Sequence, residues 1–320
     1  MLSTHGIVAQ DFYLPNLQPN DPCGCNSGKR YAECHMPIFD APSGEMLHVA
    51  RDLYAREWFE NAEVYSTQGL YRSLADDLIS RGGVTRILDI GCGLGHGLSA
   101  LRQRLPADAL QLIGIDENSA CLAAAATRLG IAAMPGNIDR MQDEMLPGGR
   151  YRSTYRPGSI MEQHPITLVQ SDLLVRDVEF DRHLDAVGPL DAVTLWFSGI
   201  HKARSSTEVA RVFEVKSDAD HRELVEDASI ELAERRLRPG GWLQIVIRGG
   251  VPSREVAGST TAEAFQLAFE DRLFTPRSIT SFSYEEPTAG TAIRVRSADA
   301  AVNALPNYAV SLLVQRNGAA

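Results

Sequence analysis

The sequence predicts an α/β protein: a largely parallel sheet with helices on both faces, preceded by a small cysteine-rich knuckle. Three observations predict it. From residue 84 onward, short apolar β-type runs alternate with helical runs. The first of these runs ends in a glycine-rich turn, ILDIGCGLGHG at 87–97. Three of the five cysteines fall within residues 23–34.

Residues 1–43 are rich in Pro, Asn, Asp and Gly and show no helical or strand period, so something other than an apolar core must hold them. Within them, DPCGCNSGKRYAECH (21–35) offers Cys23, Cys25, Cys34 and His35. Three thiolates and one imidazole suit a tetrahedral zinc site. Metal binding there would act as folding energy. A chain kept in a reducing compartment favours such a site over disulfides. Residues 44–83 read as a helical extension, with Leu70, Leu74 and Leu78 on one face and Gly82-Gly83 closing the run.

The expected strands are TRILDI (85–90), LQLIGID (110–116), ITLVQSD (166–172), LDAVTLWF (190–197), WLQIVIRG (242–249), ITSFSYEE (279–286) and YAVSLLVQR (308–316). Helices are expected at about 96–104, 119–130, 219–237 and 260–272. No helical run separates the last two strands, so they are expected to pair antiparallel at the sheet edge. Residues 131–165 form an irregular insertion too long for a tight turn. Its Tyr151, Tyr155 and His164, with Tyr54, Trp58 and Tyr65 before the sheet, are candidates for a lid.

The glycine-rich turn carries the chemistry. Gly91, Gly93 and Gly95 let a ligand approach the backbone closely, and the helix that follows offers unpaired N–H groups. Asp89, at the strand end, would repel a pyrophosphate and attract an ammonium. Asp116, with Glu117 beside it, ends the second strand in position to accept hydrogen bonds from two ribose hydroxyls. Ligands of such sheets bind outside the carboxyl ends of the strands.

With these motifs in register, residues 84–316 resemble the class I S-adenosylmethionine-dependent methyltransferases. The family's first motif matches Leu88-Asp89-Ile90-Gly91-Cys92-Gly93-Leu94-Gly95 and its ribose acid matches Asp116. Its adenine-facing strand end matches Gln170-Ser171-Asp172; LDAVTLWFSGIH and LRPGGWL match the fourth and fifth strand segments. The resemblance implies a Rossmann-like seven-stranded sheet of order 3-2-1-4-5-7-6, strand 7 antiparallel. It implies S-adenosyl-L-methionine held by Asp89, Gly91, Gly93, Gly95, Asp116, Glu117, Ser171, Asp172 and Trp196. Methyl transfer to a small-molecule or protein acceptor follows. Asp172 also fits a helix cap, since LLVRDVEF follows it, and Trp196 also fits core packing. His201 is the candidate base for a hydroxyl or amine acceptor, a structural histidine being the alternative. An Asn/Asp-Pro-Pro-Tyr tetrad is missing after the fourth strand, which disfavours DNA adenine and glutamine acceptors.

The string at 21–35 resembles the SEC-C zinc motif through Pro22, Cys23, Cys25, Ser27, Gly28, Lys29, Tyr31, Cys34 and His35. Gly24 stands where the motif has a second Pro, and Asn26 where it has a Gly. The resemblance implies a structural zinc and docking to a protein or the ribosome, with Lys29, Arg30 and Tyr31 as the exposed contact face.

The expected units are therefore 1–43, 44–83 and 84–320. A net charge of −10 disfavours non-specific nucleic-acid binding. The longest apolar runs fall short of a membrane span, and no basic-then-apolar leader is seen, so the expected location is the cytoplasm. Two rival readings stand: a nicotinamide-dependent oxidoreductase with a similar turn, and a non-catalytic adaptor that docks a partner through the knuckle.

Overall fold

A computed structural model describes residues 17–23, 28–106, 110–270, 272–288, 292–293 and 304–318. The helical extension is two helices, α1 (Met46–Thr67) and α2 (Leu70–Ile79). They break at Gly69, whose φ of +78° is open to glycine and strained for other residues.

The sheet contains β1 (Arg86–Ile90), β2 (Gln111–Asp116), β5 (Ile166–Gln170), β6 (Leu190–Trp196), β7 (Leu237–Gly250), β8 (Phe274–Tyr284) and β9 (Asn307–Arg316). The intervening β3 (Met141–Leu146) and β4 (Arg150–Tyr155) form a separate hairpin. Strand order across the main sheet is β5-β2-β1-β6-β7-β9-β8. The first five are parallel, while β9 runs antiparallel to both β7 and β8. In order of appearance this is 3-2-1-4-5-7-6, the arrangement the sequence implied.

Helices α3 (His96–Arg102), α4 (Ser119–Leu129), α5 (Val178–Val187), α6 (Asp218–Arg236) and α7 (Arg254–Ala268) connect the strands. One apolar cluster joins α1, α2, α3 and α4 to one sheet face through Trp58, Tyr65, Leu74, Leu98 and Leu122. A second, on the opposite face, unites Phe180, Leu184, Ile230 and Phe269 with Leu88, Val193 and Ile245. β1 is thus covered on both sides, which accounts for its near-continuous apolar run.

The structure departs from the sequence reading in three places. The 131–165 insertion is ordered as a hairpin, because Arg140 anchors it. The buried Arg140 guanidinium forms a bidentate pair with Asp177 at 2.6 and 2.8 Å and lies over the Tyr155 ring at 5.1 Å. Second, α5 lies between β5 and β6. Its cap is Asp177, whose side chain accepts from the Phe180 N–H at 3.0 Å. The cap is therefore not Asp172. Third, α7 and β8 begin earlier than expected, at Arg254 and Phe274.

Candidate functional site

Five of the sheet's strands end at one rim, and the loops that leave four of them enclose a cleft. The turn after β1 carries Gly91, Gly93 and Gly95 at φ of +65°, +52° and +78°. A Cβ on Gly91 would meet open space, and one on Gly93 would press on the Trp58 ring. Gly95 serves packing: a Cβ there would fall 3.0 Å from Ala125 of α4, and Gly95 does not line the cleft. Asp89, Gly91, Gly93, Asp116, Glu117, Ser171, Asp172, Trp196 and His201 all line it.

Asp116 shapes the turn as well as facing the cleft. Its two carboxylate oxygens accept from the Gly93 N–H at 2.9 Å and the Asn118 N–H at 2.8 Å. Asp89 is 3% exposed and accepts from the Thr194 hydroxyl at 2.6 Å. Burial pushes its carboxyl up to about 7; the Thr194 hydrogen bond opposes this and the neighbouring Asp116 adds to it. Burial raises Asp116 to about 7 too, against the Asn118 N–H. Asp89, buried, has no cation acting on it and Asp116, half-buried, feels only Arg51, so the pocket is poised to receive positive charge.

The far wall is polar. Arg204, buried in the loop after β6, donates to Asp172 at 2.6 Å and to Glu117 at 2.9 Å. Asp172 also accepts from the Leu174 N–H, as an Asx turn. Ser171 donates to Asp177 at 3.1 Å. The loop carries His201 across the rim from β6 to Glu117, 3.6 Å away. Neither of its ring nitrogens has a hydrogen-bond partner among the described residues. Burial, with Arg51 and Arg204 nearby, drives its imidazole well below the usual range, so the ring is neutral. His221, at the start of α6, joins the same wall and is likewise held neutral by burial, at about 4. Arg204 and His221 carry no motif, and only tertiary structure brings them here.

An aromatic roof closes the cleft. Tyr54 and Trp58 descend from α1, their rings stacked with centroids 6.5 Å apart. Gly199 leaves room for Tyr54: a Cβ there would sit 1.7 Å from the tyrosine hydroxyl oxygen. Arg248 lies over the Trp58 ring at 5.0 Å. Trp196 forms a side wall, with its indole N–H on Gln244 at 3.0 Å. Phe197 turns the chain at φ +61°, a conformation rare for a bulky residue. The enclosed cavity is about 110 Å³, below the ~300–1,000 Å³ of ordinary ligand sites. Tyr54 and Trp58 are the reason. Tyr65 packs behind them, while Tyr151, Tyr155 and His164 do not line the cleft.

The N-terminal knuckle sits outside this roof. Pro22 bridges Arg30, and the Cys23 N–H donates to the Lys29 carbonyl at 2.8 Å, bending the chain into a tight loop. Cys23 Sγ and Cys34 Sγ lie 3.2 and 3.4 Å from His35 Nδ1. All three ligand atoms fall within 4.8 Å of one another, and all three residues are buried. A tetrahedral zinc with ordinary bond lengths sets its S and N ligands ~3.5 Å apart, so these donors fit the ion. Cys25 lies outside the described residues.

Residues 20–37 match the SEC-C motif. The contact face expected of this SEC-C knuckle is corrected by the structure. Lys29 points inward, 7% exposed, onto Glu57 of α1 at 3.0 Å. Arg30 does face solvent, beside Glu33, and Tyr31 is half-buried. Ile38, just past the knuckle, packs with Leu47 and Ala50 of α1, Tyr151 of the hairpin and Ala203. The purified protein should carry one zinc per chain by elemental analysis, and the Cys23→Ser/Cys34→Ser double variant none. Stoichiometric zinc in that variant would refute the ligand set.

No curated protein matches the chain. Solved structures align over most of it at low identity. The N-methyltransferase NodS of Bradyrhizobium japonicum, complexed with S-adenosyl-L-homocysteine, is 12% identical over 78% of this chain and 87% of its own, with a TM-score of 0.40. TrmN of Thermus thermophilus is 12% identical over 77% of this chain and 48% of its own, TM-score 0.41. StiE O-MT is 15% identical over 78% and 74%, TM-score 0.40. At these scores the alignments carry no weight of their own; the fold assignment rests on strand order and direction. No helix among the described residues is long and apolar enough to cross a membrane.

Proposed function

We propose that the chain is an S-adenosylmethionine-dependent methyltransferase acting on a small-molecule or protein acceptor. The observation that carries this reading is the pair Asp89, buried, and Asp116, half-buried, at adjacent strand ends in one cleft beside an open glycine turn. Asp89 suits the cofactor's ammonium, and Asp116 suits the ribose diol. A pyrophosphate would meet two carboxylates at the turn, which disfavours the nicotinamide alternative. An intact acidic cleft also disfavours the adaptor reading.

Methyl transfer needs in-line positioning more than acid–base help, because the sulfonium is already activated. For a hydroxyl or amine acceptor we assign His201 as the base: it is neutral, in the cleft wall, and without a hydrogen-bond partner among the described residues. Tyr54 and Trp58 of α1 line the cleft, so seating a nucleoside there is expected to shift them. The SEC-C knuckle is the structural zinc site, and any outside partner would meet Arg30 and Tyr31.

Calorimetry with S-adenosylhomocysteine and NAD tests this reading, and its pH dependence sharpens it. Asp89 must ionise to pair with the ammonium. Its folded value of about 7 exceeds the unfolded one, so the free protein loses stability as pH rises towards and through about 7, and pairing with the ligand's ammonium offsets that loss. S-adenosylhomocysteine should therefore bind about tenfold more tightly at pH 8 than at pH 6. Binding of NAD alone would reject the proposal, and equal affinity at the two pH values would reject the role given to Asp89.

A further inference from the structure

We infer that the SEC-C knuckle is an internal strut for the roof of the cleft, clamped by Lys29, Glu57 and Lys202. Glu57 is the centre of the clamp. One of its oxygens, Oε1, accepts Lys29 Nζ from the knuckle at 3.0 Å and Lys202 Nζ from the loop after β6 at 2.6 Å. Lys29 and Glu57 side chains are 5% and 6% exposed. Glu57 precedes Trp58 and lies one helical turn after Tyr54, the two residues that roof the cleft. Lys202 follows His201 of the cleft wall. The clamp thus ties the roof helix and the loop after β6 to the knuckle, and the apolar contact of Ile38 with Leu47, Ala50 and Ala203 backs it.

Lys202 also hydrogen-bonds Cys34, one of the thiols gathered for the metal, so the clamp reaches the proposed zinc site itself. Lys29 and Glu57 are positioning residues: they touch neither cofactor nor acceptor, and they hold α1 down over both.

This inference rests on the proposed cofactor cleft for one of its two readouts, and the other is independent of it. In the full-length zinc-loaded protein, Lys29→Ala should keep one zinc per chain while hydrogen exchange at residues 46–67 and 197–204 speeds up about tenfold. S-adenosylhomocysteine should leave this variant about tenfold faster by stopped flow, and Lys29→Arg should restore both rates. Glu57→Gln, which keeps the shape and removes the charge, should act like Lys29→Ala. Chelating zinc from the wild type should also speed exchange in the same two segments. Unchanged exchange in Lys29→Ala and Glu57→Gln, with zinc retained, would overturn the strut. Faster exchange in a protein that binds no S-adenosylhomocysteine would uphold the strut and overturn the cofactor reading instead.

Discussion

In Asp89→Asn protein, S-adenosylhomocysteine should bind about 100-fold more weakly than in the wild type, while the fold persists. Asparagine has the shape of aspartate, and its amide oxygen keeps the bond from the Thr194 hydroxyl. What disappears is the charge facing the ligand ammonium. Truncating one member of a buried charged pair costs roughly 2–5 kcal/mol; about 2.7 kcal/mol corresponds to the stated loss. The variant should also lose the part of the pH dependence of binding that Asp89 supplies, leaving only what Asp116 contributes. Calorimetry at pH 6 and pH 8 reads both effects. A dissociation constant within threefold of wild type at pH 8 would mean that Asp89 serves the fold and not the ligand.

The second large effect is on stability. Arg204→Met should destabilise the protein by roughly 3–5 kcal/mol, the range for removing one partner of a buried ion pair. Arg204 is 2% exposed and bridges Asp172 and Glu117, whose strands, β5 and β2, are neighbours. Its loss leaves two carboxylates facing each other without their shared cation. Arg204→Lys should recover only part of the loss, because an ammonium is more strongly hydrated than a guanidinium and costs more to bury. Urea denaturation measures all three proteins; a midpoint for Arg204→Met equal to wild type would show that the bridge is dispensable.

The sequence disclosed what depends on local pattern. Near-continuous apolar runs located the five parallel strands, because buried parallel strands need no polar alternation. The turn was legible because positive φ at Gly91 and Gly93 admits few residues besides glycine. Asp89 and Asp116 were legible because strand ends fix where a side chain emerges. The hairpin β3–β4 was not. MQDEML and RYRSTY carry weak apolar alternation, and their pairing is secured by the remote anchor Arg140–Asp177. Asp172 looked like a cap from spacing alone, yet Asp177 caps α5 and Asp172 receives Arg204. Lys29 was assigned to solvent because lysine usually lies there. Its burial is settled by Glu57, whose place in α1 no pattern within the knuckle reveals.

The knuckle's own bonds are local, but the surface it rests on is not. Glu57 and Lys202 are 145 residues apart, and Ser43 meets Tyr151 across 108. At roughly 5–20 residues per second, the nascent chain carries Cys23 and Cys34 for about 8 to 36 seconds before Lys202, the last part of their docking site, has been synthesised. During that interval a zinc ion and oxidants would compete for the same thiols, so the proposed metal site would be loaded or lost before its seat exists.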